Sequence, residues 1–478
     1  MYNKINKRSM SASSIKGGYT LHLYLIFILI GFAYLLGITG SHKYSSVLYI
    51  AVTLILAVSL VKRPYLYIAL IVHLYLFTPF VRRVIDYDLG YSTYNYYGLA
   101  PIIASLVSLL IIGKLIANFS QWSVLLPQII AVIYAYAIGV VNNGFMSATY
   151  SLTDWIVPTI LAVYVSSNWK QLEIIESSYV RGIKVCMTII GLYAIIQFLV
   201  LPKWDALWMN NVPMTSIGEP LPYRVRVFST MNSPMILAPV MAGFVFIMFS
   251  VRSKIGWVVA GFGTVGILLS LVRSTWGAMA IGFLMLVFLI TMNKPKLGIQ
   301  IGLGGLLLGL IITYSIYLSP MYERIGERID TLTGIENDVS YSERTKFYKQ
   351  MAIRAFTNVI GDGLGSVGKS QVLNKTSLSD KTAFDSGLME IPTVLGLFGG
   401  TLYAMSFILL FSRIIKKEII FNQGLHQGLV IVIIIYLVQL PFANRMIGPA
   451  GVFLYISIGL LLAARAKIRQ FNLRMQND

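Results

Sequence analysis

The sequence predicts an all-α, polytopic transmembrane helical protein, with about 12–14 spans and a large external loop containing short amphipathic helices. Three observations carry the prediction. Hydrophobic residues make up 56% of the 478 positions and charged residues only 12%, where a soluble domain carries about 25% charged residues. Mean hydropathy is +0.74. Basic residues recur in the short gaps between apolar stretches, on every second gap, as the positive-inside rule expects.

About twenty apolar residues cross a bilayer as helix. Candidate spans begin near Leu21, Ser45, Tyr65, Gly98, Trp122, Tyr150, Gly182, Ser233, Ile255, Thr275, Gly298, Ser386, Gly424 and Pro449. The first residues, "MYNKINKRSMSASSIKGGYT", are basic and polar, and the following span has no small-residue cleavage site. This predicts a retained cytoplasmic tail rather than a cleaved signal peptide. With that end inside, the inner segments carry Lys62 and Arg63, Lys114, Lys170 and Arg181, Arg252 and Lys254, Lys294 and Lys296, then Arg413, Lys416 and Lys417. The final "ARAKIRQFNLRMQND" is inside as well.

The chain divides accordingly into a tail (1–20), N-terminal spans (21–201), an external loop (202–232), further spans (233–318), the large external loop (319–384), C-terminal spans (385–463) and a cytoplasmic tail (464–478). "WKQLEIIESSYVRG", Trp169 to Gly182, predicts an amphipathic helix on the inner surface. The formal charge of +19 follows from this topology and from outward-facing arginines, so no nucleic acid is expected as partner. The single Cys186 lies in an apolar segment, which excludes a disulfide within the chain and a cysteine metal site. His22, His42, His73 and His426 show no ligand spacing.

Arg273 is the lone charge in "GWVVAGFGTVGILLSLVRSTWGAMAIGFLMLVFLITM". In hydrocarbon it would cost roughly 3 kcal/mol or more. The topology instead sets it at the outer surface, in a tight turn between two spans, where a snorkelling interfacial arginine is the plain alternative. In "LPYRVRVFSTMNSPMILA", Arg224 and Arg226 alternate with valines, which puts both on one side of an extended segment. In "SYSERTKFYKQMAIRAFTNVIGDGLGSVGKS", Ser342 can cap a helix to about Thr357, with Phe347, Tyr348, Met351 and Phe356 on one face. Arg344 falls near the centre of that apolar arc and must meet a partner, either a phosphate or a loop carboxylate. "PFANRMIGPAG" sets Arg445 at the outer end of the last helical pair. Together Arg224, Arg226, Arg273, Arg344 and Arg445 could reach one outer-leaflet site. Arginine's planar fork suits diphosphate without a metal.

Two carboxylates open the span in "TAFDSGLMEIPTVLGLFGG". Asp385 is either an N-cap or a functional acid. Glu390, inside the span, is a functional candidate by default, and shares a face with Ser386 at i, i+4. The outer segment "RRVIDYDLGYSTYNYYG" adds Asp86 and Asp88 among five tyrosines. An Asp-x-Asp pair can hold a divalent metal by its oxygens, but two such acids are ordinary in a solvated loop, so no metal or other cofactor is expected. "GLGSVGKS", Gly363 to Ser370, fits the phosphate-loop pattern but lacks the strand and α/β sheet that pattern needs. It is read as tight turns.

In this order, "RVFSTMNSP", "SLVRSTWGAMA", "SERTKFYKQMAIRAFTNVIGDGLGSVG" and "FDSGLMEIPTVLGLFGG" resemble the O-antigen polymerase and O-antigen ligase family, over roughly Arg224 to Tyr403. The resemblance implies a GT-C-like architecture in the bacterial inner membrane, with the active site facing the periplasm or outside. It implies a polymerase that joins undecaprenyl-diphosphate-linked oligosaccharide repeat units for O-antigen, capsule or exopolysaccharide. Arg226, Arg273 and Arg344 become diphosphate ligands, with Arg224 equally placed, and Asp385 or Glu390 the base. Tyr87, Tyr91 and Tyr348 become sugar-stacking candidates. Partners would be that lipid-linked oligosaccharide, membrane lipid, and a chain-length regulator or flippase of the same pathway. Asp385 stands where ligases typically carry a catalytic His, which favours polymerase over a ligase acting on lipid A-core or another acceptor. A flippase or other transporter would line mid-membrane helices with charge, often in pseudo-symmetric halves, and neither is visible. A peptidoglycan-type polymerase shares the lipid diphosphate, but its motifs are not seen.

Overall fold

The computed structural model describes residues 12–38, 40–93, 95–212, 215–305, 357–373, 386–421 and 423–477. The described residues are dominated by helix. In chain order the main helices are α1 (Ala12–Gly37), α2 (His42–Leu60), α3 (Pro64–Leu89), α4 (Leu99–Leu106), α5 (Leu126–Asn143), α6 (Phe145–Ser167) and α7 (Leu172–Leu199). They continue as α8 (Lys203–Asn211), α9 (Pro234–Val251), α10 (Lys254–Ser270), α11 (Arg273–Asn293), α12 (Gly387–Ile414), α13 (Gly424–Val438) and α14 (Gly448–Asn477). Among the described residues, β pairing is limited to one antiparallel bridge, Gly218 with Val225. Within the same residues, ten helices are long and apolar enough to cross a membrane, and α10 and α13 are shorter apolar helices. The protein is an all-α, multi-pass membrane protein.

Local signals set the ends. Ser233 accepts a hydrogen bond from the Met235 amide at 3.2 Å, and Pro234 takes the first helical position of α9, where its missing N–H costs nothing. The candidate span near Gly298 is described as helix only over residues 295–305.

Two expectations are corrected. Trp169–Gly182 is not a separate surface helix. A 3₁₀ turn at Trp169–Gln171 leads directly into α7, with Leu172, Ile175, Glu176, Ser178 and Tyr179 buried. Lys170 and Glu173 are exposed, but Glu176 and Ser178 face protein: Ser178 Oγ donates to the Tyr65 carbonyl at 3.2 Å. Likewise Arg82–Leu89 is not loop but the end of α3. Arg82 and Arg83 are matched within the protein, by Asp86 and Asp205, so the helix continues where the hydropathy falls.

The chain forms two compact units. The first holds the residues up to Lys114 with Lys170–Ser270. Helix α3 is its centre, with α1 and α7 packed along it and α8 near its end, while α9 pairs with α10. The second holds Leu115–Trp169 and the described residues from Leu271 onward. There α14 packs along α6, α12 along α5, and α11 against α13. A Cβ on Gly459 would come within 2.9 Å of the Ala162 carbonyl oxygen, so glycine allows the close approach of α14 to α6.

Helix α12 is broken at Gly396, which has φ 67° and ψ −179°. Unbroken, the amides of Leu397 and Phe398 would bond to the carbonyls of Thr393 and Val394. Instead they bond to the carbonyls of Asn358 and Val359, at 3.2 and 3.3 Å. The Thr393 and Val394 carbonyls accept from the amides of Asp362 and Gly363, at 2.9 and 3.0 Å. Residues 358–363 thus satisfy all four groups that the break releases, as a span requires. Gly363 lies so close to α5 that a Cβ there would come within 2.3 Å of the Gly139 amide nitrogen.

Candidate functional site

One end of the second unit gathers ionisable side chains around Gln439 and Leu440. Thr275, in the first turn of α11, donates from Oγ1 to Gln439 Oε1 at 2.9 Å. The Gly387 amide, at the start of α12, donates to the Leu440 carbonyl at 2.8 Å. These two bonds bring the first turns of α11 and α12 to the linker between α13 and α14. Arg273 is the first residue of α11, with no side-chain cap from Val272. A cation is disfavoured at a helix N-terminus by about 0.3–1 kcal/mol. Arg445, in the linker, is buried.

Glu390 sits in the first turn of α12 and is 9% exposed. Its amide bonds to the Ser386 carbonyl at 2.9 Å. Ser386 occupies the N-cap position of α12, without a side-chain cap bond. Asn444 stands against the Glu390 carboxyl, and Asp154 of α6 lies within electrostatic range of it. Behind Glu390, Tyr403 is also in electrostatic range. A polar chain then runs inward: Tyr403 Oη lies 3.3 Å from Tyr455 Oη, Gln128 Nε2 donates to Tyr455 Oη, and Gln128 Nε2 reaches Thr159 Oγ1 at 3.0 Å. The arrangement brings the chain positions of Arg273 and Arg445 to the same end of the unit as a buried carboxyl. Asp154, Asn444 and Gln439 were not foreseen, though Asp154 was visible as one acid in the apolar stretch "SLTDWIVPTIL".

The first unit holds a second polar centre that sequence reasoning missed. Arg83 is fully buried. Its Nε lies 3.1 Å from Asp205 Oδ1, and its terminal nitrogens donate to the carbonyls of Met231, at 2.8 Å, and Ser229. The guanidinium also faces the Phe228 ring, 4.8 Å from its centroid. Asp205 Oδ2 accepts from Tyr193 Oη and Gln197 Nε2, each at 2.7 Å. Burial pushes the Asp205 carboxyl above the usual carboxylate range, and Arg83, Tyr193 and Gln197 oppose that rise. Gln197 Oε1 accepts the amides of Phe228 and Ser229, at 2.9 and 2.8 Å. The segment "RVFSTMNSP" is therefore clasped through its main chain. The one hint was Asp205 inside the aromatic run "KWDALW".

Other expected residues separate. Arg224 is exposed and pairs with Glu219 at 2.8 Å. Arg226 is half-buried, and its Nε donates to the Ser270 carbonyl at 3.3 Å. The two therefore differ in surroundings although they alternate. Asp86 and Asp88 lie on α3, where i and i+2 point apart. Asp86 is buried and held by Arg82 at 3.2 Å and His42 at 3.6 Å, while Asp88 is exposed. The pair does not converge on one metal, and no group of three or more metal-binding side chains occurs among the described residues. Tyr87 is exposed and packs edge-on to Trp204, whereas Tyr91 lies under the Arg82 guanidinium. His22 and His73 stack at 5.2 Å, with Cys186 Sγ 3.4 Å from His73 Nε2, a clustering that their sequence spacing hid. Arg344, Tyr348 and Asp385 lie outside the described residues. In "GLGSVGKS", the Gly363 and Leu364 amides donate to Val394 and Ala135, so they serve the fold.

Fold and site define a multi-pass helical membrane protein with a buried carboxyl and two arginines at one end of a helical unit. No protein-family model matches the chain, and no characterised protein matches it.

Proposed function

We propose that the protein is a polysaccharide polymerase: an inverting glycosyltransferase that joins undecaprenyl-diphosphate-linked oligosaccharide units at the outer face of the bacterial inner membrane. The observation that carries the reading is the gathering of Arg273, Arg445 and Glu390 around Gln439–Leu440. The ordered motifs from Arg224 to Tyr403 support it. An acceptor hydroxyl oxygen attacks the anomeric carbon of the lipid-linked chain. The bond from that carbon to the diphosphate oxygen breaks, and the hydroxyl proton passes to a carboxylate, Glu390 or Asp385. Arginines, Arg273 and Arg344 foremost, offset the charge on the departing diphosphate. Direct displacement inverts the anomeric centre.

The test uses purified protein with labelled undecaprenyl-diphosphate repeat unit, in EDTA, with products resolved by length. The expected product is a ladder that is lost in Arg273→Ala and in Arg344→Ala. Full-length polymer from either variant overturns the assignment. A single transfer to a second acceptor, without a ladder, identifies a ligase instead.

A further inference from the structure

At the other end of α12 the chain passes Ile414 and forms the short helix Lys417–Ile420, while α14 runs on to Asn477. A cavity of about 290 Å³ lies there, lined chiefly by Lys416, Glu418, Ile419, Arg465, Arg469 and Leu473. Three cations face one carboxylate. Arg413 adds a fourth positive charge within electrostatic range of Arg465 and Arg469, and its guanidinium is fixed by a 3.1 Å bond to the Ser120 carbonyl. Among the described residues, Lys416, Arg465 and Arg469 enter no ion pair. Cations gathered this way repel one another, and a bound anion removes that cost.

The rest of the lining joins apolar Ile419, Ile468 and Leu473 to polar Asn472 and Gln476. Ile419 is buried and Leu473 exposed. Cations beside apolar side chains, where membrane-spanning helices emerge, suit a charged headgroup with acyl chains attached. The paired guanidinium groups of Arg465 and Arg469 suit phosphate oxygens. We infer that this cavity is a phosphate-binding site filled by the headgroup of an anionic phospholipid. It lies at the end of α12 remote from Glu390 and does not depend on the proposed reaction.

The full-length protein in detergent is titrated with short-chain phosphatidylglycerol, and in parallel with short-chain phosphatidylcholine, and bound lipid is counted by native mass spectrometry. Phosphatidylglycerol is expected to bind the more tightly. Each surface cation contributes about fivefold in affinity, so Lys416→Gln and Arg469→Gln should each weaken binding by about that factor. Glu418→Gln should tighten it by a similar factor, a gain that misfolding cannot produce. Phosphatidylglycerol retained against millimolar inorganic phosphate assigns the site to lipid; displacement assigns it to a soluble phosphate compound. Equal binding of the two lipids, or unchanged affinity in all three variants, overturns the site.

Discussion

Two side chains make separable demands at the residue scale. Arg83 and Asp205 are both fully buried, so truncating either leaves an uncompensated charge. Arg83→Ala should cost about 3–5 kcal/mol, and Gln197→Ala, which orphans the Phe228 and Ser229 amides, about 1–3 kcal/mol. Unfolding of the detergent-solubilised protein checks the order; an Arg83→Ala variant as stable as wild type would show that the clasp holds nothing. Glu390→Gln keeps size and polarity and removes only the ability to take a proton. It should lower chain growth by at least about a hundredfold with the unfolding transition unmoved. Full activity would shift the base to Asp385. Arg273 and Glu390 were legible in the sequence because each is a charge alone in an apolar run. Arg83 was not: it stands beside Arg82, and its partner Asp205 lies on another helix.

Among the elements, the broken α12 is held by close backbone contacts: a Cβ on Gly396 would come within 2.4 Å of the Ile360 carbonyl carbon. The glycine clusters around Gly363 and Gly396 were plain in the sequence, but glycine is common in membrane helices, so it marked no break. Only the exchange of hydrogen bonds with residues 358–363 gives these glycines a purpose. Gly139 shares it, since a Cβ there would meet the Leu364 carbonyl oxygen at 2.2 Å. Gly139→Ala should therefore destabilise by about 1–3 kcal/mol, as overpacking does. Gly261, in α10, faces open space, and a methyl added there would meet nothing within 4 Å. Gly261→Ala should be neutral or stabilise by up to about 1 kcal/mol. Parallel melting curves test the pair, and equal effects would mean that the close approach to Leu364 does not constrain α5.

For the whole molecule, hydropathy found the helices because burial in lipid is a property of each residue's own side chain. It erred at Arg82–Leu89 and Trp169–Gly182, where polar side chains find partners inside the protein: Asp86 for Arg82, the Tyr65 carbonyl for Ser178. The proposed orientation follows from basic residues alone and makes a direct prediction. In a Cys186→Ala background, Ser216→Cys should react with a membrane-impermeant thiol reagent in intact cells, and Lys254→Cys only after lysis. The reverse pattern would invert the protein and move the site around Glu390 to the cytoplasmic face.

The exchange of partners in α12 also makes one helix depend on a separate stretch of chain. Hydrocarbon gives an amide no solvent to turn to. An unbroken α12 would hold the Leu397 and Phe398 amides by two bonds within one segment; the break replaces them with four bonds between two segments. The turn that follows Glu390 therefore keeps its shape only while residues 358–363 stay in place.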